Sequence, residues 1–97
     1  MSTPLFKSGS VLATPGALQA IEQAGQNASE FLNRHLAGDW GTVSDGDKEA
    51  NNESLTDGSR LLSAYRLNTG AKIWILTEAV DDHGIRAATT ILLPDEY

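Results

Sequence analysis

The sequence predicts an α+β fold in a single domain over residues 1–97: a short N-terminal strand or hairpin, two to three short helices, then a three-stranded antiparallel β-meander. Three observations predict it. Apolar residues recur at helical spacing before residue 44, they alternate from residue 60 onward, and Asn68-Thr69-Gly70 interrupts that alternation where a tight hairpin needs a left-handed residue.

Residues 6–13 read as a short strand or hairpin broken at Gly9. Thr14-Pro15 opens the first helix: threonine caps, and proline at the first helical position lacks an N–H that would go unpaired there anyway. Ala17, Leu18, Ile21 and Ala24 fall on one face, and Gly25 stops the helix. Asn27 with Glu30 has the spacing of a capping box. Phe31, Leu32 and Leu36 form the apolar stripe of the second helix, which Gly38 ends, so the pair makes an αα-hairpin. A third helix is expected from Ser44 to about Leu55, with Asp57-Gly58 closing it. Gly46, Asn51, Asn52 and Ser54 weaken its propensity, and only Val43, Ala50 and Leu55 offer apolar contact.

The hairpin pairs Arg60–Leu67 with Ala71–Ala79. A three-residue loop sets Tyr65 opposite Ile73, Ser63 opposite Ile75 and Leu61 opposite Thr77 on one face. On the other, Ala64 opposes Trp74, Leu62 opposes Leu76 and Arg60 opposes Glu78. A slip of one residue would put Arg60 and Arg66 among the isoleucines. Arg86–Leu93 is the third strand, ended by Pro94. The connection Val80–Ile85 leaves its register open. Both hairpin faces carry apolar centres, so the face of Leu62, Trp74 and Leu76 is expected either to be a partner surface or homodimer interface, or to be covered by the N-terminal segment.

Composition excludes several functions. The chain has no cysteine, hence no disulfide, thiolate metal site or cysteine nucleophile. Thirteen acids against seven basic residues give a net charge of −6, which disfavours direct nucleic-acid binding and suits a basic protein partner or plain solubility. Met1 to Ser10 carries one lysine and no apolar run, and the longest apolar stretch, Ile73–Leu76, is far too short for a bilayer, so a cytoplasmic location is expected.

No motif for chemistry holds. Asp45-Gly46-Asp47-Lys48-Glu49 starts like a calcium loop, but Ala50 and Thr56 stand where glycine and a bidentate glutamate are required. His35 and Asp39 are four apart, and His35, Asp39, Arg60 and Tyr65 are the set a small enzyme or ligand-binding domain would use. His83 lies in a polar loop. Neither histidine has zinc-site spacing, and no nucleophile elbow, phosphate loop or dinucleotide fingerprint occurs, so no metal or cofactor is expected. Thr14-Pro15-Gly16 exposes helix-start N–H groups, as any helix start does. The segment 39–57 holds six of the thirteen acids against Lys48 alone. Asp39, Trp40, Asp45, Asp47, Glu49 and Glu53, with Trp74 on the sheet, are the expected partner surface; the carboxylates would imitate a phosphate backbone, or simply face water.

Thr14-Pro15-Gly16-Ala17-Leu18, Arg34-His35-Leu36 with Gly38-Asp39-Trp40-Gly41, Gly58-Ser59-Arg60-Leu61-Leu62-Ser63-Ala64-Tyr65, Ile73-Trp74-Ile75 with Thr77-Glu78-Ala79, and Thr89-Thr90-Ile91-Leu92-Leu93-Pro94 together resemble a family of small bacterial proteins carried on plasmids and integrated elements. The resemblance spans nearly the whole chain and departs from the family at the lengthened 80–85 connection. It implies a mobile-element setting rather than a reaction. A restriction–modification subunit label borne by some relatives does not fit, because a methyltransferase needs a doubly wound domain of about twice this length. The expected role is therefore a non-enzymatic accessory protein that binds another macromolecule, such as a host-defence or plasmid-maintenance protein. A self-associating structural protein is the other alternative.

Overall fold

The computed structural model describes residues 3–97, so the first two positions of the stretch Met1 to Ser10 lie outside it. Strand β1 (Ser10–Ala13) leads into α1 (Pro15–Gln23), α2 (Ala28–Leu36) and α3 (Asp45–Asp57). Strands β2 (Leu61–Arg66), β3 (Lys72–Thr77) and β4 (Ala88–Leu92) follow, and a 3-10 turn over Pro94–Glu96 ends the chain.

The meander forms in the expected register: Leu61 pairs with Thr77, Ser63 with Ile75, Ala64 with Trp74 and Tyr65 with Ile73. Gly70 takes φ +92° with nothing within 4 Å of where a Cβ would sit, so it is chosen for backbone conformation alone. Trp74 pairs with Leu92 and Thr77 with Thr89, which fixes the third strand. The sheet, however, has four strands in the order β1-β4-β3-β2. β1 adds in parallel beside β4, with Ser10 against Ala88 and Ala13 against Ile91, so the N-terminal segment extends the sheet instead of covering its second face.

α1 and α2 cover one face. Ala17, Ile21 and Phe31 pack on Tyr65, Leu67, Ile73, Ile75 and Ile91, each large side chain contributing about 1.5–3 kcal/mol by leaving water. The Thr14 hydroxyl oxygen accepts from the Ala17 N–H at 3.1 Å, as its capping role requires, and the hydroxyl donates to Glu96, which pins the chain's last turn to the start of α1. Leu18 stays half exposed. Asn27 holds the cap position of α2 without a capping bond, and Glu30 accepts from Gln26 instead, so the expected capping box does not close.

The far face carries Leu62, Trp74 and Leu76, all half-buried. The Tyr97 ring stands edge-on to Trp74 with centroids 5.6 Å apart. Arg60 turns to the Tyr97 hydroxyl and shares a cation–π contact with its ring, rather than pairing with Glu78.

Candidate functional site

α3 begins and ends as its sequence directs. The Ser44 hydroxyl oxygen caps it through the Asp47 N–H, and Gly58 closes it at φ +83°. Its inward face is not the apolar one expected. Ala50 is exposed, and the buried positions are Asn51 and Ser54. The Asn51 side-chain amide donates to the Leu62 carbonyl at 2.7 Å and accepts from the Leu62 N–H at 3.1 Å, as a neighbouring strand would. One step along, the Ala64 N–H donates to the Trp40 carbonyl, and the Ala64 carbonyl accepts from the Thr42 N–H at 2.7 Å. The outer edge of β2 is thereby sealed by an amide side chain and a loop.

Polar anchoring of this kind leaves the acids of α3 in water. Asp45, Asp47, Glu49, Glu53 and Asp57 are all exposed. Asp45, Glu49, Glu53 and Asp57 recur every fourth residue, so neighbours stand roughly 6 Å apart along the axis. Like charges at this spacing repel by about 0.2–0.5 kcal/mol per pair. Among the described residues the ion pair that forms is Arg34–Asp39, away from the stripe.

Trp40 does not join that surface. It is 4% exposed, its indole N–H donates to Asn52, and its ring meets Phe6 and His35 at 6.3 and 5.7 Å. It is a core residue that locks the 39–43 loop under α3. Asp39 is exposed, but its carboxylate is taken by Arg34 at 2.7 Å and by the Gly41 N–H, and the Arg34 hydrogen bond chiefly holds its pKa below the usual carboxylate range. Trp74 lies on the sheet face opposite the one that α1 and α2 cover, half-buried under Tyr97.

The set His35, Asp39, Arg60 and Tyr65 is not gathered into a pocket. Asp39 points to Arg34 rather than His35, Tyr65 donates its hydroxyl to the Asp39 carbonyl, and Arg60 is on the far face with Tyr97. His35 is fully buried at the end of α2 and sits in a polar chain that the sequence reading missed. The Thr89 hydroxyl donates to the Ser8 carbonyl at 2.8 Å. Its single proton is thus spent, so Thr77, 2.7 Å away, must donate to Thr89. The Thr77 oxygen then receives the His35 Nε2–H at 2.8 Å, and His35 Nδ1 accepts from the Ser63 hydroxyl at 2.5 Å. Proton counting therefore fixes the direction of the chain and a proton on Nε2, and burial, which disfavours the charged ring, leaves Nδ1 as the acceptor. Burial, aided by the nearby Arg86 charge, pushes the His35 pKa down to about 4. A serine beside a histidine invites a nucleophile reading, but the third member here is a threonine hydroxyl and all three groups are sealed in the core. The available signal was the run Ser63, Thr77 and Thr89, three hydroxyls on a core face that need a buried partner.

A cleft of about 640 Å³ lies between the segment before β1, the end of α3 and the 80–86 loop. Phe6, Leu55, Val80 and Ile85 supply apolar walls, with Lys7, Asp57 and Arg86 the charged groups around it. Among the described residues no group of three or more histidine, aspartate, glutamate or cysteine side chains could hold a metal ion, and no helix is long and apolar enough to cross a membrane.

Comparison with family models, curated proteins and solved structures gave no match. The chain's own geometry therefore carries the functional argument.

Proposed function

We propose that this chain is a non-enzymatic accessory protein of a mobile genetic element that works by docking α3 on a basic surface of another macromolecule. A host-defence or plasmid-maintenance protein is the partner class the resemblance implies. The observation that carries this reading is the stripe Asp45, Glu49, Glu53 and Asp57. These carboxylates repel one another, face solvent, and sit on a helix held to the rest of the molecule chiefly by polar contacts, Asn51 to the Leu62 backbone and Arg86 to the Ser54 carbonyl. Nothing in the fold needs four acids in a row there, since the anchoring positions are Asn51 and Ser54. A basic surface, such as the nucleic-acid-binding face of a partner, would relieve the repulsion and gain from long-range attraction.

The variant Asp45→Lys/Glu49→Lys/Glu53→Lys is expected to fold with at most about 1 kcal/mol lost, since the three lysines repel one another as the acids did, the last of them faces Asp57, and a carboxylate leaves the positive end of the helix. Capture from a bacterial lysate should retain a stoichiometric protein on the parent chain. The variant should hold that protein at least about tenfold more weakly, and rising salt should release it from the parent. Equal retention by both proteins, or no retention by either, contradicts the proposal.

A further inference from the structure

Arg86 is 7% exposed and lines the 640 Å³ cleft, yet no carboxylate approaches it within ion-pair distance among the described residues. Its guanidinium is held by three carbonyl oxygens: Nη1 donates to Ser59 at 2.7 Å and Glu78 at 2.9 Å, and Nη2 donates to Ser54 at 3.0 Å. A guanidinium has five N–H groups, so Nε–H and one Nη2–H remain without a protein acceptor. No buried side-chain nitrogen or oxygen among the described residues lacks a partner, so the free Nε–H reaches solvent, and the surface Arg86 lines is the cleft. Asp57, the acid on the rim, has its carboxylate turned to the Ser59 N–H at 2.8 Å. Phe6 lies 5.8 Å from the guanidinium carbon, and Lys7 adds a second cation at the mouth.

We infer that this cleft binds a small apolar carboxylate, its acid group on the open Nε–H of Arg86 and its hydrocarbon part against Phe6, Leu55, Val80 and Ile85. The arrangement meets the usual requirements of such a site: a few hundred Å³ of largely apolar wall and one fixed polar anchor. An arginine held rigid by three backbone carbonyls presents its Nε–H without further ordering, and a carboxylate oxygen accepts a charge-assisted bond from it. The inference goes beyond the docking role of α3, because its anchor is Arg86 and the cleft shares only Asp57 with the acidic stripe.

The test is an amide-resonance titration of the full chain with hexanoate, with hexanamide as the uncharged control. Hexanoate should shift the Gly58, Val80 and Arg86 amides saturably, and hexanamide should bind at least about tenfold more weakly. Ile85→Glu, an exposed rim change that leaves the Arg86 contacts intact, should weaken hexanoate by a similar factor. N-acetyl-alanyl-leucine in a parallel titration separates the two sources of such a group: tighter binding than hexanoate assigns a peptide C-terminus, weaker binding a free acid. Non-saturating shifts, equal affinity for the amide, or indifference to Ile85→Glu would overturn the site.

Discussion

Replacing His35 with alanine is expected to cost about 4–5 kcal/mol, a large part of the roughly 5–15 kcal/mol that holds a domain of this size together. Three losses combine. The cavity left by the ring cannot be filled, since Phe6 and Trp40 contact it edge-on from two sides. The Ser63 hydroxyl then has no acceptor at Nδ1, and the Thr77 oxygen loses its donor, at about 1–3 kcal/mol for each buried group left unpaired. Urea unfolding should therefore show a midpoint lowered far more than in Thr77→Val, which keeps the ring and its packing. A His35→Ala loss below about 1 kcal/mol would mean that the polar chain is not holding the core.

Gly41→Ala is the second large effect, expected at about 3 kcal/mol or more by the same measurement. Gly41 sits at φ +77° and bridges to Ala64, so its backbone runs directly along β2. A Cβ there would strike the Ala64 carbonyl and come within 2.7 Å of the Tyr65 ring. The loop would have to lift, taking with it the Thr42 and Trp40 backbone bonds that seal the strand edge and the indole buried beneath α3. Gly70→Ala is the control, because its φ is equally left-handed but its surroundings are empty; it should cost only about 1 kcal/mol. If the two substitutions cost the same, close approach is not what selects glycine at 41.

The hairpin was readable because its information is local. Asn68-Thr69-Gly70 sets the turn, and the alternation of Tyr65, Ser63 and Leu61 against Ile73, Ile75 and Thr77 permits one register. The caps at Thr14 and Ser44 were readable for the same reason. The parallel pairing of Ser10–Ala13 with β4 was not, since nothing in a four-residue strand points to a partner 78 positions away. α3 was placed correctly but faced wrongly. Apolar residues were sought as its contact, whereas an exposed strand edge needs hydrogen-bond partners, and Asn51 provides them. Trp40 was read as surface because it stands beside the acidic segment, although a large indole followed by a glycine that hugs a strand is a packing signal. Of the expected partner surface, the acids of α3 are presented together, while Trp40 and Trp74 are drawn away from them by burial and by the opposite sheet face.

His35 is locked as a structural hub by Ser63, Thr77 and the rings of Phe6 and Trp40. Its folded pKa of about 4 lies below the ordinary 6.5, so at intermediate pH the unfolded chain binds the extra proton. The stability this gives is complete above about pH 6.5 and is lost as pH falls toward 4, a total of about 3 kcal/mol. Nitrogen NMR of the imidazole between pH 4 and 8 tests the claim most directly. A ring protonated on Nε2, unprotonated on Nδ1 and neutral until close to pH 4 is the predicted result; a titration near 6.5, or a proton on Nδ1, would contradict it.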